Sequence, residues 1–167
     1  GFKNLSNSYK EAHLIEEMAI NRCTKIITTS IESVKTIQKY YNIDYSKLGL
    51  IPLGANLDWW PSKDEIIHII SSRSRNVCKI LFVGLDWERK GGDIVINTCN
   101  ELYKSGFPIE LHIVGLKKLP ISIPKYAINH GFINKMVKKD AKRLSRLYQE
   151  SHFLFVPSRG EAYGLVF

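Results

Sequence analysis

The chain has 167 residues, 44% of them apolar and 24% charged, with a formal charge of +8. This is ordinary globular composition at one-domain length, and no stretch approaches the ~18 consecutive apolar residues of a membrane span. Three cysteines (Cys23, Cys78, Cys99) and five histidines show no CxxC, HxH or HExxH spacing. That argues against a metal site and for reduced, buried thiols.

In chain order, residues 8–23 have helical periodicity, with Ala12, Ile15, Glu16 and Ala19 on one side. A short strand is expected at 25–29, and Ser30 is a good N-cap for a helix through Tyr41. The apolar run 48–53 ends at Pro52-Leu53-Gly54, and 55–61 reads as a connection. Residues 62–73 look helical, with Ile66, Ile67, Ile69 and Ile70 as apolar content. Strands and helices then alternate. Strand 79–83 precedes a helix over 92–104, with Ile94, Val95, Thr98, Cys99, Leu102 and Tyr103 inward. Strand 109–114 precedes a loop containing Pro120 and Pro124, and a short strand at 127–130 leads into Gly131-Phe132-Ile133. A helix over 140–150 and a strand over 152–156, ending at Pro157-Ser158, complete the pattern. No repeat or low-complexity segment interrupts it.

This alternation predicts an α/β fold, a Rossmann-like parallel sheet with helices on both faces. Strands end at Gly84, Gly115, Gly131 and Ser158. In a parallel sheet those ends share one edge, where ligands bind and helix N-termini point N–H groups outward. Two constellations fall there. Arg89-Lys90-Gly91-Gly92 delivers two cations to a helix start, which suits a diphosphate, with the glycines allowing close backbone approach. Neither GxxxxGK[ST] nor GxGxxG is present. On those four residues alone, a solvated helix start is the better account of the cations; the strand that precedes them brings the phosphate reading level with it. Ser158-Arg159-Gly160-Glu161-Ala162-Tyr163-Gly164-Leu165-Val166 puts a carboxylate in a glycine-flanked loop. Glu161 there could accept sugar hydroxyls, or be an ordinary exposed carboxylate.

Lys135, Lys138, Lys139, Lys142, Arg143 and Arg146 hold much of the positive charge, opposite Ala141, Leu144, Leu147 and Tyr148. A solvated outer face is the simpler account; contact with anionic lipid or nucleic acid is the other. No aromatics interleave with these charges as single-strand binding would require.

Five segments in order resemble the retaining glycosyltransferases of family 4, which have the two-domain GT-B fold. Glu16-Glu17-Met18-Ala19 is similar to an E-x-x-A helix, and Ile51-Pro52-Leu53-Gly54-Ala55-Asn56 to the I-P-N-G-V-D junction. Phe82-Val83-Gly84 followed by Arg89-Lys90-Gly91 resembles F-V-G-R…K-G. Gly131-Phe132-Ile133 matches a G-x-(V/I) turn, and the segment from Val156 to Val166 resembles P-S-x-x-E-x-F-G-L-V.

The resemblance implies that residues 1–45 end an N-terminal acceptor domain and that 46–61 connect the domains. Residues 62–167 would then be an incomplete GT-B C-terminal domain that binds the donor. It implies transfer of a hexosyl unit from a nucleotide-diphosphate sugar to a sugar or lipid-linked acceptor, with retention, no metal and no cofactor. Lys90 and Glu161 would be the catalytic pair. Gly84, Arg89, Lys90, Phe132, Ile133, Glu161, Gly164, Leu165 and Val166 would hold the donor, the Phe132-Ile133 turn meeting the nucleobase mainly through its backbone. The resemblance implies a cytoplasmic protein, for which peripheral contact with anionic membrane is compatible and nucleic acid is not expected.

The chain departs from the pattern at Leu85, where the family usually has Arg and Arg89 is the nearest replacement, and at Asn56, where Asp is usual. The second Glu of the paired motif would fall beyond Phe167. The chain therefore reads as an internal fragment, inactive by itself. A same-fold nucleotide-sugar epimerase or phosphorylase, and a non-enzymatic basic α/β module, remain as alternatives.

Overall fold

The structure, a computed structural model, describes residues 6–54 and 61–161. The chain divides into two compact units, Gly1–Asn56 and Leu57–Phe167.

In the first unit, helix α1 (Ser6–Arg22) precedes strand β1 (Ile26–Thr28) and helix α2 (Ile31–Tyr40). A 3-10 turn at Tyr45–Lys47 then leads into strand β2 (Leu48–Leu50). The two strands pair in parallel, Ile26 opposite Leu48. Ser30 caps α2 as expected, its hydroxyl accepting from the Ser33 amide at 3.1 Å. The apolar side expected for α1 is not covered: Ile15 is 67% exposed, and burial reaches only Ile20. A two-stranded sheet and one short helix offer too little surface to cover it. Instead, a polar contact ties α1 to the end of α2. The Tyr41 hydroxyl donates to Glu16 at 2.6 Å, which pushes the phenol up to about 12.

The second unit opens with helix α3 (Lys63–Ser71). Its start is a capping box: Ser62 Oγ accepts from the Glu65 amide, and Glu65 accepts from the Ser62 amide. Strand β3 (Cys78–Val83), helix α4 (Gly92–Lys104) and strands β4 (Ile109–Val114) and β5 (Ala127–Asn129) follow, then helix α5 (Lys138–Glu150) and strand β6 (Phe153–Leu154). The sheet has the order β5-β4-β3-β6 and all its pairings are parallel.

Strand β3 explains why helices lie on both faces. Successive side chains of a strand point to opposite sides. Ile80 and Phe82 join Val95, Ile96 and Cys99 of α4, whereas Leu81 joins Leu144, Leu147 and Tyr148 of α5. A strand covered on both sides has no polar face, so its sequence reads as a continuous apolar run. The α/β Rossmann-like expectation is met.

Details differ from the sequence reading. Ile96 is buried in α4, while Thr98 is exposed and Tyr103 is 51% exposed. The buried stripe runs through Gly92, Val95 and Cys99, and at about 100° per residue it turns Thr98 outward. Tyr103 lies at the helix end against Tyr126, ring centroids 5.2 Å apart. Helix α5 begins two residues before the expected Asp140, and β6 is shorter than the apolar run that contains it. In α3, Ile66, Ile67 and Ile70 are exposed. Ile69 is partly covered, lining a groove of about 870 Å³ with Lys142, Arg146 and Glu150 of α5. Of the three thiols, Cys99 is buried, Cys78 half-buried and Cys23 exposed, so the expectation of buried thiols fails at Cys23.

Leu111, fully buried in the central strand β4, should cost about 2–5 kcal/mol on substitution by Ala. Thr98→Ala, at an exposed helical position, should change stability by less than about 0.5 kcal/mol. Denaturant melts of the two variants test whether β4 carries the core while the Thr98 side of α4 stays outside it.

Candidate functional site

Because β3, β4, β5 and β6 run parallel, their carboxyl ends share one edge. The backbone ties these ends together: Gly84 N donates to Val114 O and Gly115 N to Gly131 O, each at 2.9 Å. Gly115 has φ +128°, and a Cβ there would lie 2.0 Å from Gly84 O. Only glycine lets the loops after β3 and β4 leave the edge this closely.

The loop after β3 is a compact turn. Asp86 accepts from the Arg89 amide through its side chain and from the Lys90 amide through its carbonyl. Gly91 adopts φ +75°, and an added Cβ would meet Pro157 O at 2.1 Å. An added Cβ on Gly92 would meet the Trp87 ring at 2.3 Å, and that ring stands edge-on to Phe82. The glycine pair was expected to admit a ligand's close approach; packing within the protein already accounts for both residues. The Lys90 stem crosses Gly84, where a Cβ would lie 2.9 Å from Lys90 Cγ.

Arg159 stitches the loop after β6 to this turn. Its guanidinium grips Asp93 in the first turn of α4 with two hydrogen bonds, at 2.8 and 2.7 Å, and donates to Glu88 O at 2.6 Å. Its amide donates to Arg89 O at 2.8 Å. The Arg159 fork holds the Asp93 carboxyl down to about 2. Two residues on, Glu161 accepts a hydrogen bond from Lys90 Nζ, and the Ser158 hydroxyl lies 3.4 Å from the same oxygen. Arg89 donates to Gly160 O at 3.0 Å and approaches Glu161 at 4.0 Å. The Lys90 contact, and then the nearby positive charge, hold the Glu161 carboxyl below its usual range.

The structure thus brings Gly84, Arg89, Lys90 and Glu161 together at the carboxyl edge. The side chain of Ile133 is buried with Leu81, Val114 and Leu147. Phe132 is half exposed, and Leu85, at the position of the usual Arg, is 67% exposed. Gly164, Leu165, Val166 and Asn56 lie outside the described residues. The basic side chains of α5 are exposed, as a solvated face requires, and Arg146 pairs with Glu150 at 2.6 Å. Sequence reasoning missed Arg159 and its partner Asp93. The available signal was an acidic residue in the first turn of a helix, where the helix dipole also favours it. Among the described residues, no group of His, Cys, Asp and Glu could hold a metal ion, and no helix is long and apolar enough to cross a membrane.

No family model matches this chain. It is similar to a D-inositol 3-phosphate glycosyltransferase from Gordonia bronchialis, with 23% identity over 164 residues. The match takes in 90% of this chain and 36% of that protein, so the chain spans about a third of the relative's length. The likeness supports a glycosyltransferase relationship.

The Arg159–Asp93 fork makes a titration prediction. Asp93 favours its charged form in the folded state, so its contribution to stability is full above about pH 3.8 and is lost as pH falls toward 2. In Arg159→Gln, the Asp93 carboxyl should titrate close to 3.8, as followed by its side-chain carbon resonance. A midpoint still near 2 would show that another group holds it down.

Proposed function

We propose that this chain is the donor-binding part of a retaining glycosyltransferase, which moves a hexosyl unit from a nucleotide-diphosphate sugar to a sugar or lipid-linked acceptor without a metal. The observation that carries this reading is the Lys90–Glu161 contact across 71 residues of sequence, at the carboxyl edge of a parallel sheet. The Rossmann-like fold and the likeness to a glycosyltransferase support it.

In this reading the donor diphosphate takes the place of the Glu161 carboxylate against Lys90, with Arg89 beside it. The freed carboxylate then accepts from the sugar hydroxyls. Negative charge grows on the diphosphate as the glycosidic bond breaks. An ammonium already held in place stabilises that charge without reorganising, an effect typically worth ~10²–10³ in rate. Ile133, packed inward, leaves base recognition to the main chain of the Gly131 turn. Residues 164–166 would complete the phosphate contacts.

In the intact protein, Lys90→Ala should lower turnover at least ~100-fold, while Lys138→Ala, on the exposed face of α5, should leave it near normal. Near-normal turnover of Lys90→Ala would remove the assigned role. Product analysis with a labelled donor separates the reactions: a retained glycoside supports the proposal, whereas an epimerised nucleotide sugar or a sugar phosphate would replace it.

A further inference from the structure

Away from the rim cations, four side chains form an unbroken line on the α5 side of the sheet. Arg143 Nη2 of α5 lies 2.9 Å from His130 Nδ1, just past the end of β5. His130 Nε2 lies 2.8 Å from His112 Nδ1, and His112 Nε2 lies 2.8 Å from Glu110 Oε1, both residues of β4. The two imidazole planes are within 16° of parallel, with ring centroids 5.1 Å apart, and His112 is only 6% exposed. Lys79 of β3 faces Glu110 at 3.6 Å and Glu150 of α5 at 3.4 Å, and Arg146 closes on Glu150.

The ends of this line fix its direction. A guanidinium can only donate and a carboxylate can only accept. His130 Nδ1 therefore accepts from Arg143, which puts the single proton of a neutral His130 on Nε2. That proton points at His112 Nδ1, which puts the proton of His112 on Nε2, facing Glu110. Three protons fill three gaps. A fourth, on either ring, sets two N–H groups face to face, and one gap must open.

We propose that the Arg143–His130–His112–Glu110 line is a proton-sensitive latch that clips α5 to the carboxyl end of β5 and opens on uptake of one proton. Burial is the largest influence on His130, followed by the charges of His112 and Arg143, with Glu110 opposing them; the result holds the ring below its ordinary 6.5. The unfolded chain binds a proton below 6.5 while the folded one resists. Closure is therefore complete above about pH 6.5 and weakens as pH falls toward the folded value of His130. Gly131 follows His130 directly, so the opening is felt at the rim.

Nitrogen-15 spectra of the imidazoles in the intact protein test this. At pH 7.5 both rings should be in the Nε2–H form, and His130 should titrate below 6.5. Amide exchange at Gly131 and over 141–147, corrected for its intrinsic rate, should accelerate by up to ~10-fold per unit below pH 6.5. Arg143 is exposed, so Arg143→Met should fold. It removes the donor, so the His130 midpoint should rise toward 6.5 and the acceleration should flatten. Arg143→Lys should keep the wild-type pattern. An Nδ1–H or mixed form on either ring, a wild-type His130 midpoint at or above 6.5, or an unchanged exchange profile in Arg143→Met would overturn the latch.

Discussion

Arg159 reaches back 66 residues in sequence to Asp93, and the geometry of the rim depends on that grip. The fork draws the loop after β6 against the loop after β3, and Glu161 comes within reach of Lys90 because it follows Arg159 by two residues. The approach is possible only because Gly91 leaves room for Pro157 O and Gly84 leaves room for the Lys90 stem. An ion pair, two missing side chains and one crossing lysine form a single arrangement, in which each part requires the others.

The arrangement is electrically close to balanced. Lys90 holds Glu161, Arg159 holds Asp93, and Arg89 sits between Asp86 and Glu161. An anion arriving here would exchange partners with a carboxylate rather than settle on bare cations. Its affinity would be a difference between two ion pairs, both partly screened by salt. The cations of α5, in contrast, lie exposed to solvent.

The sheet was legible because a doubly covered strand must be apolar on both sides, as Ile80, Leu81 and Phe82 are. The proximity of residues 90 and 161 was legible because parallel strands share an edge. Surroundings decided what the sequence left open. Thr98 and Ile96 of α4 differ in burial only through the rotation of the helix against β3 and β4. The apolar side of α1 was readable, but its exposure was not, since periodicity says which residues share a face and nothing about what covers it. Gly91 and Gly92 are a similar case: a glycine shows that something comes close, and here Pro157 and Trp87 do. The histidine line was unreadable because 18 residues separate His112 from His130, and only the β4–β5 register brings them together.

Trp87 closes the turn from beneath, wedged between Gly92 and Phe82. Its indole is a chromophore packed against Gly92, where the Arg89-Lys90 segment runs into α4. A shift of that segment as small as the width of a methyl group would change the polarity around the ring. The loop thus carries a built-in fluorescent gauge of its own seating.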